Sequence, residues 1–353
     1  MRRHPPRFVR ATAVCGAVTL FVSGCTLLSD DGSDDSGATV VELATHDSWN
    51  APAEVIESFE QRHDIDLRIR KQGDAGALAN KLVLTQADPI ADLAYGIDSS
   101  FASRVLSEDV FAPYQSPNGD AGPQQYAPGG GNRLSAVDLG DVCVNIDLEW
   151  FAAHDVPPPE NYSDLTDPRY ENLMVAESPA TSSPGLAFLL GTIAEYGTEG
   201  WQEYWQELED NGLRVVSGWT EAYNQSFSGA SGDGDRPIVV SYASSPVAEV
   251  DDTGRPRTEA LLETCYRQVE YAGVLAGADH PDRAEEVVDF LLSERFQSTV
   301  AKNMYVYPTR DDVALPSNWD EVAPKPTDPN ELDSAKVAEH RKQWIDEWRK
   351  QFT

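Results

Sequence analysis

The feature that most narrows what this chain can fold into is the regular alternation of short apolar runs with amphipathic stretches between residues 40 and 96. Val40-Val41-Glu42-Leu43-Ala44 reads as a buried strand ending at Thr45-His46-Asp47-Ser48-Trp49. Pro52 opens a helix with Val55, Ile56 and Phe59 on one face. Ile65, Leu67 and Ile69 alternate with Asp66, Arg68 and Arg70 as a second strand, residues 76–86 form a second helix, and Ala91 to Gly96 a third strand. This succession predicts an α/β sheet, whose ligands sit at the carboxyl ends of its strands. Those ends carry His46, Asp47 and Ser48, then Gly73 and Asp74, then Asp98 and Ser99.

A second such pattern follows. Leu173 to Ala176 reads as a strand, Ser178 to Gly185 as a loop, and Leu186–Tyr196 and Trp201–Glu209 as two helices. Leu213 to Val216 is a strand leading into Ser217-Gly218-Trp219-Thr220-Glu221-Ala222-Tyr223, and Ile238 to Val240 leads into Ser241-Tyr242. Two apolar-alternating stretches, Val137–Ile146 and Cys265–Leu275, read as crossings between two lobes, while residues 113–133 read as a surface excursion. Helices open at Pro281 and after Ser293. The tail from Glu331 has an apolar stripe of Val337, Trp344, Ile345 and Trp348, expected to be packing.

A length of 353 residues suits two lobes. The first 24 residues, with Arg2, Arg3, Arg7 and Arg10 before an apolar run too short to span a bilayer, read as a signal peptide. Val22-Ser23-Gly24-Cys25 resembles the bacterial lipobox, which would make Cys25 the lipidated residue of a membrane-anchored, extracytoplasmic protein. Residues 25–38 are too polar and acidic to fold and read as a flexible tether. The net charge of −32 repels nucleic acid and favours a cationic ligand, though it also serves solubility.

Trp219 and Tyr242 each lie beside small hydroxyl or glycine residues at an expected strand end, which suits a small-molecule pocket. The six histidines, His4, His46, His63, His154, His280 and His340, show no metal-ligand spacing, so neither metal nor cofactor is expected. Beyond Cys25 the body carries Cys143 and Cys265, which are either a disulfide or, if Cys143 is free in a cleft, a nucleophile.

Thr45-His46-Asp47-Ser48, Gly96-Ile97-Asp98, Ser183-Pro184-Gly185-Leu186, Gly218-Trp219-Thr220-Glu221-Ala222-Tyr223, Ser241-Tyr242 and the closing Arg341–Trp348 stretch together resemble thiamine-binding solute receptors of ABC importers. The resemblance implies a two-lobed α/β fold of the type II periplasmic-binding kind, with an interlobe cleft and hinge crossings. Lobe 1 would comprise 39–137 and 268–308, lobe 2 138–267 and 309–353. It further implies a monomeric receptor, not an enzyme, handing thiamine or thiamine phosphate to permease and ATPase subunits. Ser182, Ser183, Trp219 and Tyr242 would hold the hydroxyethyl or phosphate end, facing His46, Asp47 and Asp98 near the heterocycles; Ser48, Ser99 and Tyr223 adjoin these. The chain departs from the family where Val247-Ala248 and Tyr305 stand in place of two stacking rings, and Trp49 is the expected substitute. The alternatives are a thiaminase-like enzyme using Cys143, or a receptor for iron or a polyamine.

Overall fold

The computed structural model describes residues 37–129, 132–230 and 233–352; the signal-like segment, Cys25 and the tether up to residue 36 lie outside the described residues. Ala38–Thr353 is one compact unit. It opens with β1 (Thr39–Thr45), α1 (Ala53–His63), β2 (Ile65–Lys71), α2 (Ala75–Leu84), β3 (Leu93–Asp98) and α3 (Ser99–Ser107). β1 lies parallel to both β2 and β3. Asp74 and Asp98 cap α2 and α3 by accepting the N–H groups of Ala75 and Ser100, which satisfies donors a helix start would leave orphaned. The sequence reading did not anticipate α3, because its apolar face (Phe101, Ala102, Val105) is short and starts directly at a strand end.

The middle of the chain forms β4 (Ser135–Asp147), α4 (Leu148–His154), β5 (Met174–Glu177), α5 (Ser183–Asp210), β6 (Arg214–Val216), the single turn α6 (Trp219–Glu221) and β7 (Ile238–Tyr242). The expected loop at 178–185 ends early. The Ser182 side chain accepts from Gly185, and Pro184 sits in the first helical turn, so α5 begins at Ser183. The two helices expected there meet at Gly197, whose φ of 74° breaks the helical path. β8 (Thr258–Val274), α7 (Pro281–Leu291), α8 (Glu294–Met304), β9 (Tyr307–Pro308), α9 (Trp319–Val322) and α10 (Ser334–Gln351) complete it.

Among the described residues the nine strands form one sheet, ordered β2-β1-β3-β8-β4-β7-β5-β6, with β9 against β4. The long antiparallel ribbon of β4 and β8 is its axis, with registers from Ser135 opposite Ala272 to Asp147 opposite Thr258. β3 pairs the late part of β8, and β7 pairs the late part of β4. The parallel strands β2-β1-β3 therefore stand on one side of the ribbon and β7-β5-β6 on the other. Both crossings run longer than their apolar alternation indicated, because β8 remains paired with β4 through the polar residues Glu259 and Thr258. One core on the sheet joins Phe101, Phe188, Trp205, Trp344 and Trp348; another joins Phe59, Tyr95, Leu291 and Phe296. Each such fully buried large side chain contributes on the order of 1.5–3 kcal/mol.

Candidate functional site

The carboxyl ends of β1 and β3 meet the α6 turn and the end of β7 around a cavity of about 310 Å³. Its floor comes from the ribbon and β3. Glu270 of β8 is buried, and its carboxylate accepts a hydrogen bond of 3.2 Å from the Tyr95 hydroxyl. The same hydroxyl donates to Asp138 of β4. His46 approaches Glu270 with Nε2 3.5 Å from the carboxylate, an ion-pair contact without hydrogen-bond geometry. Burial and the repulsion of Glu270 push Asp138 well above the usual carboxylate range. Burial would raise Glu270 too, but the His46 charge and the hydrogen bonds from Asp138 and Tyr95 outweigh it and hold Glu270 low. Burial works to lower His46, but Glu270 and the Asp74 charge together outweigh it, so His46 is raised. The floor thus presents one buried carboxylate held low beside a titratable imidazole. Gly96, at φ 94°, makes this possible: a Cβ there would lie 2.1 Å from the His46 ring.

The walls are aromatic. Trp219 and Tyr223, one turn apart, stack at 4.9 Å and 12°, and Tyr242 leans on Trp219 at 6.3 Å. The indole N–H donates to Ser241 Oγ at 2.8 Å, which contacts Ser245 Oγ at 2.8 Å, so a hydroxyl chain fixes the Trp219 plane. Opposite, Tyr305 ends α8 in the left-handed conformation and is 39% exposed. Ser244 donates its hydroxyl to the Tyr305 carbonyl, tying this ring to the loop after β7. Ser48, Asn224, Ala248, Met304 and Val306 complete the lining, with Glu249 held by Arg257 at 3.1 Å.

A second hollow of about 400 Å³ continues from Ser48 and Trp219 to Asp47, Asp74, Thr181 and Glu221. Here the two sides of the cleft already bond to each other. Asp74 accepts the N–H of Trp219 at 2.8 Å and of Ser183 at 3.3 Å, beside its own capping bond to Ala75 at 2.7 Å. Gly218 is needed at this approach, since a Cβ would stand 2.8 Å from the Asp74 carboxylate. Burial raises Asp74 despite these donors.

Of the residues expected at the site, His46, Ser48, Trp219, Tyr223, Tyr242 and Tyr305 come together in the first cavity, and Asp47 lines the second. Asp98, Ser99, Ser182 and Ser183 line neither. Ser183 donates its hydroxyl to fully buried Asp98, Ser182 caps α5, and Ser99 accepts from Val269. Trp49 does not supply the substitute ring: it is 6% exposed, packed edge-on against Tyr95 at 5.2 Å and stacked on Phe296 at 5.7 Å in the core. Burial of its whole indole outweighs a position beside polar Asp47 and Ser48. The sequence places Asp74 at a strand end, but that reading singles out neither Tyr95 nor Glu270. A lone carboxylate inside the apolar 265–275 crossing was the available signal for Glu270. Cys143 and Cys265 form a disulfide, which leaves Cys143 without the thiolate an enzyme would need.

Residues 88–335 match the family model of the bacterial extracellular solute-binding proteins. The chain belongs to that family. This solute-binding protein is 28% identical over 322 residues to the thiamine-binding periplasmic protein of Escherichia coli (strain K12), covering 88% of this chain and 93% of the relative. It is 29% identical over 319 residues to the thiamine-binding periplasmic protein of Brucella melitensis, covering 87% and 90%. Among solved structures it resembles a periplasmic thiamin binding protein, with TM-score 0.77 and 26% identity over 89% of this chain and 96% of that one. A ferric binding protein from Campylobacter jejuni shares the fold at TM-score 0.67 and 16% identity. The solute-binding protein thus has the two-lobed α/β fold of periplasmic binding proteins. Among its described residues no group of three His, Cys, Asp or Glu is arranged to hold a metal ion.

Proposed function

We propose that this protein captures thiamine or its phosphate esters outside the cytoplasm and delivers them to the permease and ATPase of an ABC importer. The observation that carries the reading is the first cavity, where the buried Glu270 carboxylate forms the floor and Trp219, Tyr223, Tyr242 and Tyr305 form the walls. Thiamine is a flat, permanently charged thiazolium joined to an aminopyrimidine. Aromatic faces and one desolvated carboxylate complement that cation, and the acidic chain raises its local concentration. The names of the relatives from Escherichia coli and Brucella point to the same ligand.

In this reading residues 39–137 with 268–308 form lobe 1, and 138–267 with 309–353 lobe 2. They hinge about the β4–β8 ribbon and are latched by Asp74 and by Asp98 with Ser183. Cys25 carries the lipid anchor, the acidic segment behind it is the tether, and the receptor works as a monomer. Calorimetry on the compact unit from Ala38 tests the ligand: saturable heat with micromolar thiamine is expected, and no binding of thiamine or its phosphates overturns the proposal. Spermidine in competition should not displace thiamine, since a flexible polyamine gains little from the flat walls.

A further inference from the structure

On the face of the sheet where α10 packs against α3, a hollow of about 190 Å³ reverses the sign of the rest of the protein. In a chain with 59 acidic and 27 basic residues, arginines ordinarily find carboxylates, as Arg214 does with Asp235 and Arg257 with Glu249. Arg104 of α3 and Arg341 of α10 both line this hollow, yet among the described residues neither has an ion-pair partner. The Nε of each is buried without a hydrogen-bond acceptor. Arg341 is only 8% exposed and lies 5.1 Å over the Phe101 ring, which fixes its plane. Lys342 and Asn80 add further donors at the rim. The lining acid, Asp346, is already engaged by Lys342 at 2.6 Å and Arg349 at 3.4 Å. Buried Asp98 attracts the Arg341 charge but forms its hydrogen bonds with Ser183 and Ser100, and no ion pair joins it to either arginine among the described residues.

A buried guanidinium and a half-buried one facing the same hollow repel each other and leave their buried Nε–H donors unmet, which a buried charge tolerates poorly. Burial and the Arg104 charge accordingly hold Arg341 below the usual arginine range. A small oxyanion removes both defects at once, since guanidinium forks match tetrahedral or planar oxygens in two-point contacts. We propose that this hollow is a small-oxyanion site, separate from the ligand cavity, in which a phosphate-type anion bridges Arg104 and Arg341. Occupied, it ties α3, which follows β3 of one half, to the C-terminal helix that packs on the other half, behind the Asp98–Ser183 contact.

The test is thermal unfolding of the Ala38–Thr353 unit in inorganic phosphate against chloride at matched ionic strength and pH. A saturable rise of about 3 °C specific to phosphate is expected, and Arg104→Gln, a partly exposed position outside the ligand cavity, should abolish it. Should Arg104→Gln not fold, the arginine Nε–H resonances of the unsubstituted protein are titrated with phosphate, and two of them should shift with one saturation curve. Equal midpoints in phosphate and chloride, a phosphate effect retained by Arg104→Gln, or arginine resonances that do not move would each overturn the proposal.

Discussion

The two hollows of the cleft differ in what they leave unfinished. Around Glu270 the protein provides a charge, stacked rings and empty volume, whereas around Asp74 its own groups already satisfy one another across the cleft. The first is built to take a ligand, the second to hold the two sides together. A residue type therefore says little by itself: Asp98 and Glu270 are both buried acids, yet one has a serine hydroxyl as its partner and the other faces a cavity.

The largest expected effect breaks this comparison directly. Glu270→Gln keeps the shape of the floor and removes its charge, so thiamine affinity should fall by about 2–3 kcal/mol, roughly 30- to 150-fold, with little change in unfolding midpoint. An unchanged dissociation constant by calorimetry would place the cation elsewhere. Trp219→Ala should weaken binding by about 1–2 kcal/mol through loss of a stacking face. Trp49→Ala, in contrast, should cost about 3 kcal/mol or more of stability while the folded fraction binds normally. Denaturant titration beside calorimetry separates the two.

The junction should respond in the opposite currency. Burial pushes Asp98 up to about 6, so its native form holds a proton that the unfolded chain releases. Stability tied to Asp98 is then present at low pH and lost as pH rises from about 4 to 6. Asp98→Asn should flatten that slope and leave the protein at least as stable at neutral pH, while Ser183→Ala should destabilise it by about 1 kcal/mol. Neither should change affinity as much as Glu270→Gln does.

The smallest effect sharpens the role of His46. Because its folded value is raised, the stabilisation from its contact with Glu270 is complete below about pH 6.5 and fades as pH climbs through the folded value. A cation bound at Glu270 competes with that protonated imidazole, so affinity should increase about three- to tenfold across the same window, with proton release. His46→Gln should bind with no such slope. The groups facing His46 are Glu270, Tyr95, Asp74 and Lys71, and a slope that survives in His46→Gln would move the titration to Asp74.

Local pattern alone carried the alternation of strands and helices, the strand ends bearing His46 and Asp47, the Trp219–Tyr242 cluster and the packed stripe of α10. These follow from periodicity and from where a strand must stop, which neighbouring residues decide. The sequence could not show that Glu270, Tyr95 and Asp138 converge, because they sit on three strands joined only by sheet order and register. Nor could it show which way Trp49 points, or that Ser182, Ser183 and Asp98 spend their hydrogen bonds on each other and on helix caps. Side-chain direction and hydrogen-bond partners are set by the packing of distant segments, so only the tertiary structure separated the residues that face the cavity from those that close it.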